Sequence, residues 1–476
     1  MAKKNQVLER NVKETALGIS KQIDINFRNY ALYVLEHRGI PSFYDGLTNV
    51  QRVSLMNAPK TFNKTISLVG SCISNGYHHG DKSLSGAINK LAKPFGCGEQ
   101  LLIGDGFFGT PVNTEASAAR YTSVKINPII NEVLNKYMML NKKNEDDQWE
   151  WLRTELPIGL LTMVVGIAVG YKSTLLPRKI EDIVKFLDGK KIPLTPYFKG
   201  FSGKISAFNG LKKSWLIEGV VEVDEPTKTV RVLELPPLMK YDSFIKKLSK
   251  LADSSIDFTI DNNSSDNVDI SVKFKGGCLW EEFKDRMTKM TKVLVTETLV
   301  FVRDGSVIEY SDMTDYLTEY RVHRESVRLE KSNHDLNVYN EELEFLKAKE
   351  SYLRFMLAKK HSDVEIETFL SVYTSRIKSR LERTLLKDLS NEVLSKTQEL
   401  IKEMIKTIAT EQQTKSDLTI SLQQLIDDTP IYSKRTNNTR SAVDLFAGEE
   451  SEIDGIEVFG SNEDDQIDED EENEYE

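Results

Sequence analysis

Apolar residues recur along this chain at several different spacings, and each change of spacing marks a boundary. Residues 20 to 60 read as helices broken by "HRGIPSFYDG", where Gly39, Pro41 and Gly46 force a turn between two apolar-periodic stretches. A second helix is predicted over "KTFNKTISLVGSCISNG", with Ile66, Val69 and Ile73 on one face. Asp81 is placed as the N-cap of a third helix carrying Leu84, Ile88 and Leu91. Helix, turn, helix, then the glycine-rich "LLIGDGFFGT" and a strand is the grammar of a winged helix-turn-helix, which lays a helix in a DNA groove.

From about Phe198 to Val307 the pattern shortens to alternating runs such as "KTVRVLELPP" and "NVDISVKF", joined by Asn, Asp and Gly turns, which predicts a separate α/β region. Beyond Asp312 glycine and proline nearly vanish and a long helix is predicted through Lys360. Within it Leu329, Leu336 and Leu343 repeat at seven, as do Tyr339, Leu346 and Leu353, and Glu350 interrupts the seam. A second apolar-periodic stretch from about Arg383 to Ile408 favours an antiparallel return, with Ser362 to Glu382 as a small helical head.

Composition adds three constraints. At 476 residues the chain is too long for one core and should divide into roughly three units. No apolar stretch approaches the ~20 residues of a membrane span, and the N-terminus lacks the apolar region of a secretory signal, so an intracellular, soluble protein is expected. Cys72, Cys97 and Cys278 stand far apart with no CxxC pair, which argues against a disulfide framework or a zinc site. The net charge of -10 conceals a division: sixteen of the 73 acidic residues and none of the 63 basic ones lie in 441–476, so residues 1–440 carry +6. The acidic tail is expected to be disordered, and the basic body permits a nucleic-acid partner.

Three local groups could carry chemistry: Arg38 with Arg52 flanking "YDGL", the adjacent His78 and His79 between Gly76 and Gly80, and Arg120 with Tyr121. The stretches "RGIPSFYDGLTNVQR", "GYHHGDKSL", "GDGFFGT" and "AARYTSV", in that order, resemble the breakage-reunion core of type IIA DNA topoisomerases. The "YHHGD" form looks more like the eukaryotic enzyme and the phage medium subunit than the gyrase A protein. Further on, "GIAVGYKSTLLP" resembles the segment that inserts an isoleucine into bent gate DNA, "TPYFKGFSGKI" and "LELPP" resemble the tower, and "SDMTDYLTEYRVHR" resembles the entry to the coiled coil.

The resemblance, over about residues 25 to 410, implies that Tyr121 is the nucleophile forming a 5′-phosphotyrosyl link. A phenol of pKa about 10 is only about a thousandth ionised at pH 7, so neighbouring charge is needed. Arg120, Arg38, His78 and His79 would supply it and stabilise the transition state. Ile167 matches the DNA wedge, and Arg52 and Lys64 are expected DNA contacts. The chain departs from the family at Thr48 and Asn49, where lysine and proline are usual, and at Asp105, where glutamine is usual. No GxxxxGK[ST] sequence and no toprim-type magnesium site is evident, so the resemblance places Mg2+ and ATP on a partner subunit.

The expected fold class is thus α+β multidomain: an N-terminal segment (1–24), a winged-helix domain bearing Tyr121 (25–150), an α/β tower (151–312), an antiparallel coiled coil with a helical C-gate head (313–430) and the disordered acidic tail (431–476). The expected function is double-stranded DNA cleavage and rejoining in a cytoplasmic, bacterial or phage-infected setting, by a homodimer within a heteromer containing an ATPase/toprim large subunit. With no wrapping domain after the coiled coil, relaxation and decatenation are expected in place of supercoiling. The alternative is a non-enzymatic winged-helix DNA-binding protein dimerised by its coiled coil.

Overall fold

The computed structural model describes residues 23, 26–27, 30–31, 33–144, 148–211, 213–252, 256–383, 389–429, 434–435 and 457–458. The expected N-terminal segment, and with it the expected disorder of the acidic tail, lies almost wholly outside these residues. The described protein mixes helices and sheets in two compact units, one over 1–320 with 430–476 and one over 321–429.

In the first unit one π-helical turn, Leu35–Gly39, precedes α1 (Asn49–Met56), β1 (Asn63–Lys64), α2 (Thr65–Ser74), α3 (Asp81–Ala92), β2 (Leu102–Asp105) and β3 (Ser123–Ile126). The three strands form an antiparallel sheet in the order β1-β3-β2. Thr48 caps α1: its backbone N–H donates to the Gln51 side chain at 3.0 Å in a capping box. The buried face of α2 is Thr65, Leu68, Val69 and Cys72, a set spaced three, four and seven apart, whereas Ile66 and Ile73 face outward. The face expected from the sequence is therefore rotated, because Val69 sits on its edge and is compatible with either stripe. In α3 Leu84, Ile88 and Leu91 are buried as expected, but the N-cap is Gly80 and Asp81 is the first helical residue. There its carboxylate still faces the positive end of the helix dipole.

The chain continues through α4 (Pro128–Asn135) to the two-stranded ribbon β4 (Val164–Ala168) and β5 (Tyr171–Leu175), then α5 (Ile180–Leu187). Strands β6 (Lys204–Ala207) and β7 (Ser214–Glu218) lead to β8 (Val220–Asp224) and β9 (Thr229–Glu234). The α/β region is completed by α6 (Tyr241–Ala252), β10 (Asp257–Asn262), β11 (Ile270–Gly276), α7 (Trp280–Met290) and β12 (Lys292–Thr296). One sheet runs β10-β11-β9-β8, and alternate residues Val230, Val232, Ile270 and Val272 of its central strands are buried with Phe244 of α6 and Phe283 of α7. The other joins β12, β7 and β6.

Just beyond the ends of β5 and β12, Arg178 and Glu297 form an ion pair at 2.6 Å with both side chains almost wholly buried. The glutamate also accepts from Trp215 Nε1 at 2.9 Å and from the Leu176 backbone N–H at 2.9 Å. The guanidinium also donates to the Leu194 and Leu176 carbonyls. Every partner needed to hold two buried charges is therefore present.

A hairpin of β13 (Leu299–Arg303) and β14 (Ser306–Tyr310) precedes α8 (Met313–Ala358), a helix of 46 residues or about 69 Å. Asp312 starts it, its carboxylate accepting the Asp315 N–H at 2.9 Å. Tyr316 and Tyr320, in the first turns, donate to the carbonyls of Phe43 and Thr154. The second unit contains the remainder of α8, α9 (Asp363–Leu370), α10 (Ser375–Glu382) and α11 (Asn391–Asp428). Hydrogen bonds from Ser332 to Glu411 and from Gln398 to Glu350 pair α8 and α11 in antiparallel fashion. Glu350, the polar break in the heptads, is thereby matched by an amide on the returning helix. That helix runs well past Ile408, to Asp428.

Candidate active site

Tyr121 stands on a turn whose construction explains its exposure. Its backbone N–H donates to the Ala118 carbonyl at 2.8 Å, and the first N–H groups of α2 are spent on the same turn: Thr65 donates to Thr122 and Ile66 to Ala119. Thr122 is fully buried and its hydroxyl meets that of Thr65 at 2.8 Å. Thr122 is anchored inward, and Tyr121, on the turn just before it, projects outward, where it is 69% exposed. The small residues Ala116 to Ala119 let this loop lie close to Phe107, whose carbonyl accepts the Ser117 N–H. Glycines at 106 and 109, both with positive φ, bend the preceding segment around it.

One basic group stands against the Tyr121 ring, and two more lie on the adjoining strands. The Arg120 guanidinium lies 5.3 Å from the centroid of the Tyr121 ring. Lys64 is exposed and its backbone is paired with Ser123, two residues past the tyrosine. Lys125, next but one along the strand, places its ammonium 4.5 Å from the centre of the exposed Phe62 ring.

A second group forms around His79. The ring of Tyr77 meets it edge-on at 5.3 Å, and the Tyr33 hydroxyl lies 3.3 Å from Nε2. Partial burial, with the positive charge of Arg38 and the neighbouring His78, depresses the His79 pKa below its ordinary 6.5. At neutral pH His79 is therefore the uncharged imidazole, and the fixed positive charge of this group belongs to Arg38. The two groups lie at opposite ends of α2: its first turn holds the Tyr121 loop, and its last turn leads through Asn75 and Gly76 to the histidines. Ten residues of helix put about 15 Å between those ends.

Ile167 is 52% exposed on β4, whereas Gly166 beside it is pressed inward. A Cβ at 166 would stand 1.9 Å from the Gly39 carbonyl oxygen, and a Cβ at 39 would stand 2.3 Å from that of Ile167. Only two glycines permit this backbone contact, which brings the main chain next to Arg38 against the main chain next to the exposed isoleucine. Arg52, by contrast, is inside the protein. Its Nε and Nη2 donate to the Asp45 carboxylate at 2.7 and 3.0 Å, and Nη2 also reaches the Leu47 carbonyl. With 6% of its side chain exposed, it holds the "YDGL" turn closed and is not presented to a phosphate. Asn49 donates to Gln148, a residue that belongs to no motif and that nothing in the sequence singles out.

Among the described residues no group of three or more His, Cys, Asp and Glu side chains comes together that could hold a metal ion. Nor is any described helix long and apolar enough to cross a membrane.

Comparison with known proteins places this geometry in context. The family model for the A subunit of DNA gyrase/topoisomerase IV matches residues 38–438. The DNA gyrase A subunit of Ureaplasma parvum is 25% identical over 385 residues, covering 71% of this chain and 45% of that protein. The DNA topoisomerase medium subunit of Enterobacteria phage T4 is 28% identical over 240 residues, covering 48% of this chain and 53% of that one. The chain spans about half the length of the curated relatives it matches. Among solved structures, the DNA-binding, cleavage and re-ligation domain of Plasmodium falciparum topoisomerase II superposes with a TM-score of 0.69 at 20% identity, covering 85% of this chain and 63% of that chain.

Proposed function

The chain belongs to the family of DNA gyrase/topoisomerase IV A subunits, and from that premise we propose that it is the DNA-cleaving and rejoining subunit of an ATP-dependent type II topoisomerase. The observation that carries this reading is the outward projection of Tyr121 from a turn anchored at both Ala118 and Thr65, beside Arg120 and Lys64. A tyrosine serving only to fill space would be buried, as Tyr316 and Tyr320 are.

In the proposed reaction the Tyr121 oxygen bonds to a backbone phosphorus and the bond from that phosphorus to the 3′ oxygen breaks. The phenolic proton passes to solvent, and the departing 3′ oxygen takes up a proton from solvent. Rejoining is the reverse. Arg120 and Lys64 offset the charge that develops on the phosphoryl oxygens, since positive groups already in place need no rearrangement as the reaction proceeds. Arg38, with His78 and His79, holds backbone phosphate at the other end of α2, and Ile167 opens a base step as a wedge.

Residues 25–150 act as a winged-helix domain, 151–312 as a tower, and 313–430 as a coiled coil with a dimerising head. Two copies and an ATPase/toprim partner, which carries Mg2+ and ATP, make up the enzyme, and its products are relaxed or decatenated duplexes in the cytoplasm of a bacterium or phage-infected cell.

The test is covalent capture. The chain is mixed with a partner subunit, magnesium and supercoiled plasmid, and the reaction is stopped with detergent. Protein on the 5′ ends of broken DNA with the native chain, and none with Tyr121→Phe, is the expected result. Tight DNA binding without capture would instead favour a non-enzymatic DNA-binding protein.

A further inference from the structure

We propose that Gln148 is a positioning residue for the loop bearing His78 and His79, acting through a two-bond amide relay from Asn49 to Gly76. The inference rests on the cleavage role proposed above.

The relay is geometrically complete. Asn49 Nδ2 donates to Gln148 Oε1 at 3.1 Å, and Gln148 Nε2 donates to the Gly76 carbonyl at 2.6 Å. One end of the amide accepts and the other donates, so no carboxylate or hydrocarbon of similar length reproduces it. Gln148 is itself held: its N–H donates to Asn144 Oδ1 at 2.9 Å, its carbonyl accepts the Asn144 N–H at 2.8 Å, and Lys143 pairs with Trp149 across the same short ladder.

What the relay grips is a point of leverage. Gly76 has φ of 97°, a conformation that side chains rarely adopt, so the chain can reverse there. The next residue, Tyr77, is buried, donates its N–H to Cys72 and supports the edge of the His79 ring. A shift of the Gly76 carbonyl therefore passes through one rigid residue to His79.

The test uses the full chain and two variants, Gln148→Met and the milder Asn49→Ala. First, the histidine rings of the free chain are titrated by NMR. In Gln148→Met the His79 midpoint should rise toward its ordinary value, because a loosened loop returns the ring to water and away from Arg38. Second, the rate of covalent DNA capture with the partner at saturating DNA should fall about tenfold, as expected for losing a pair of hydrogen bonds, with the variant still folded and only a modest fall in melting temperature. Asn49→Ala should shift both readouts in the same direction by less, and adding it to Gln148→Met should have no further effect.

An unchanged His79 midpoint in Gln148→Met would overturn the inference whatever capture does. So would additive losses in the double variant. Capture by Tyr121→Phe would overturn the cleavage reading alone, and the titration would still decide the relay.

Discussion

Arg52 and Asp45 face each other through two hydrogen bonds, and neither side chain reaches the surface to any useful extent. The carboxylate additionally accepts the backbone N–H groups of Leu47 and Leu152, so the pair ties the turn before α1 to a segment far along the chain. Arg52→Ala should destabilise the protein by about 3–5 kcal/mol, the usual consequence of leaving one buried charge without its partner. Denaturant unfolding measures it. Lys64→Ala should leave stability within about 0.5 kcal/mol and lower the salt slope of DNA binding by about one, since it removes a surface cation from the proposed interface. A reversed pattern would return Arg52 to the DNA-contacting set.

The burial of Arg178 and Glu297 predicts an asymmetry. Glu297→Ala should cost about 3–5 kcal/mol because the guanidinium is stranded. The double variant Arg178→Met, Glu297→Leu should recover most of that loss, since an apolar pair needs no compensation. Urea unfolding of the three proteins checks this, and equal losses in single and double variants would contradict it.

The depressed pKa of His79 sets a pH dependence. An unfolded chain binds the proton with a midpoint of about 6.5, and the folded protein binds it only at lower pH. The stability linked to this group is therefore fully present above pH of about 6.5 and is lost as pH falls through the lower, folded midpoint. His79→Gln should flatten the fall in unfolding free energy between neutral and mildly acidic pH, while the native chain weakens. Parallel curves for the two proteins would show that the histidine is not the group responsible.

Ile167→Ala should change stability by less than about 0.5 kcal/mol, because the side chain is largely in solvent, yet reduce bending of a bound duplex. Fluorescence transfer between the ends of a short labelled duplex reports the bend. Gly166→Ala should instead cost about 3 kcal/mol through its collision with the Gly39 carbonyl.

How much of this was legible in the sequence depended on the kind of signal. The long helix was plain, because forty-six residues pass without a glycine or proline and Asp312 caps the start. The antiparallel return was legible from its own apolar periodicity, although its end was not: the polar run from Thr410 to Asp417 interrupts the stripe, which resumes at Leu418, Leu422 and Leu425. The outward face of α2 was misleading because Ile66, Val69 and Ile73 fit a helical stripe as well as the true one does. The family resemblance singled out Tyr121, but could not say that Arg52 is claimed by Asp45, since both residue types are at home on a surface. Gln148 was illegible altogether. Its partners are a side chain and a backbone carbonyl brought from two other segments, and a hydrogen bond to a carbonyl leaves no trace in residue type.

The contact between Gly39 and Gly166 has a mechanical meaning. Side chains rotate, and a spacing set by them varies with temperature and salt, whereas two main chains touching carbonyl to α-carbon can neither slide closer nor fill the gap. Arg38 and Ile167, one on each side of that joint, are mounted like the two jaws of a fixed gauge. On the function proposed above, a duplex laid across them would be measured by the protein's backbone, and a variant that resets the gauge would have to rebuild both strands of chain together.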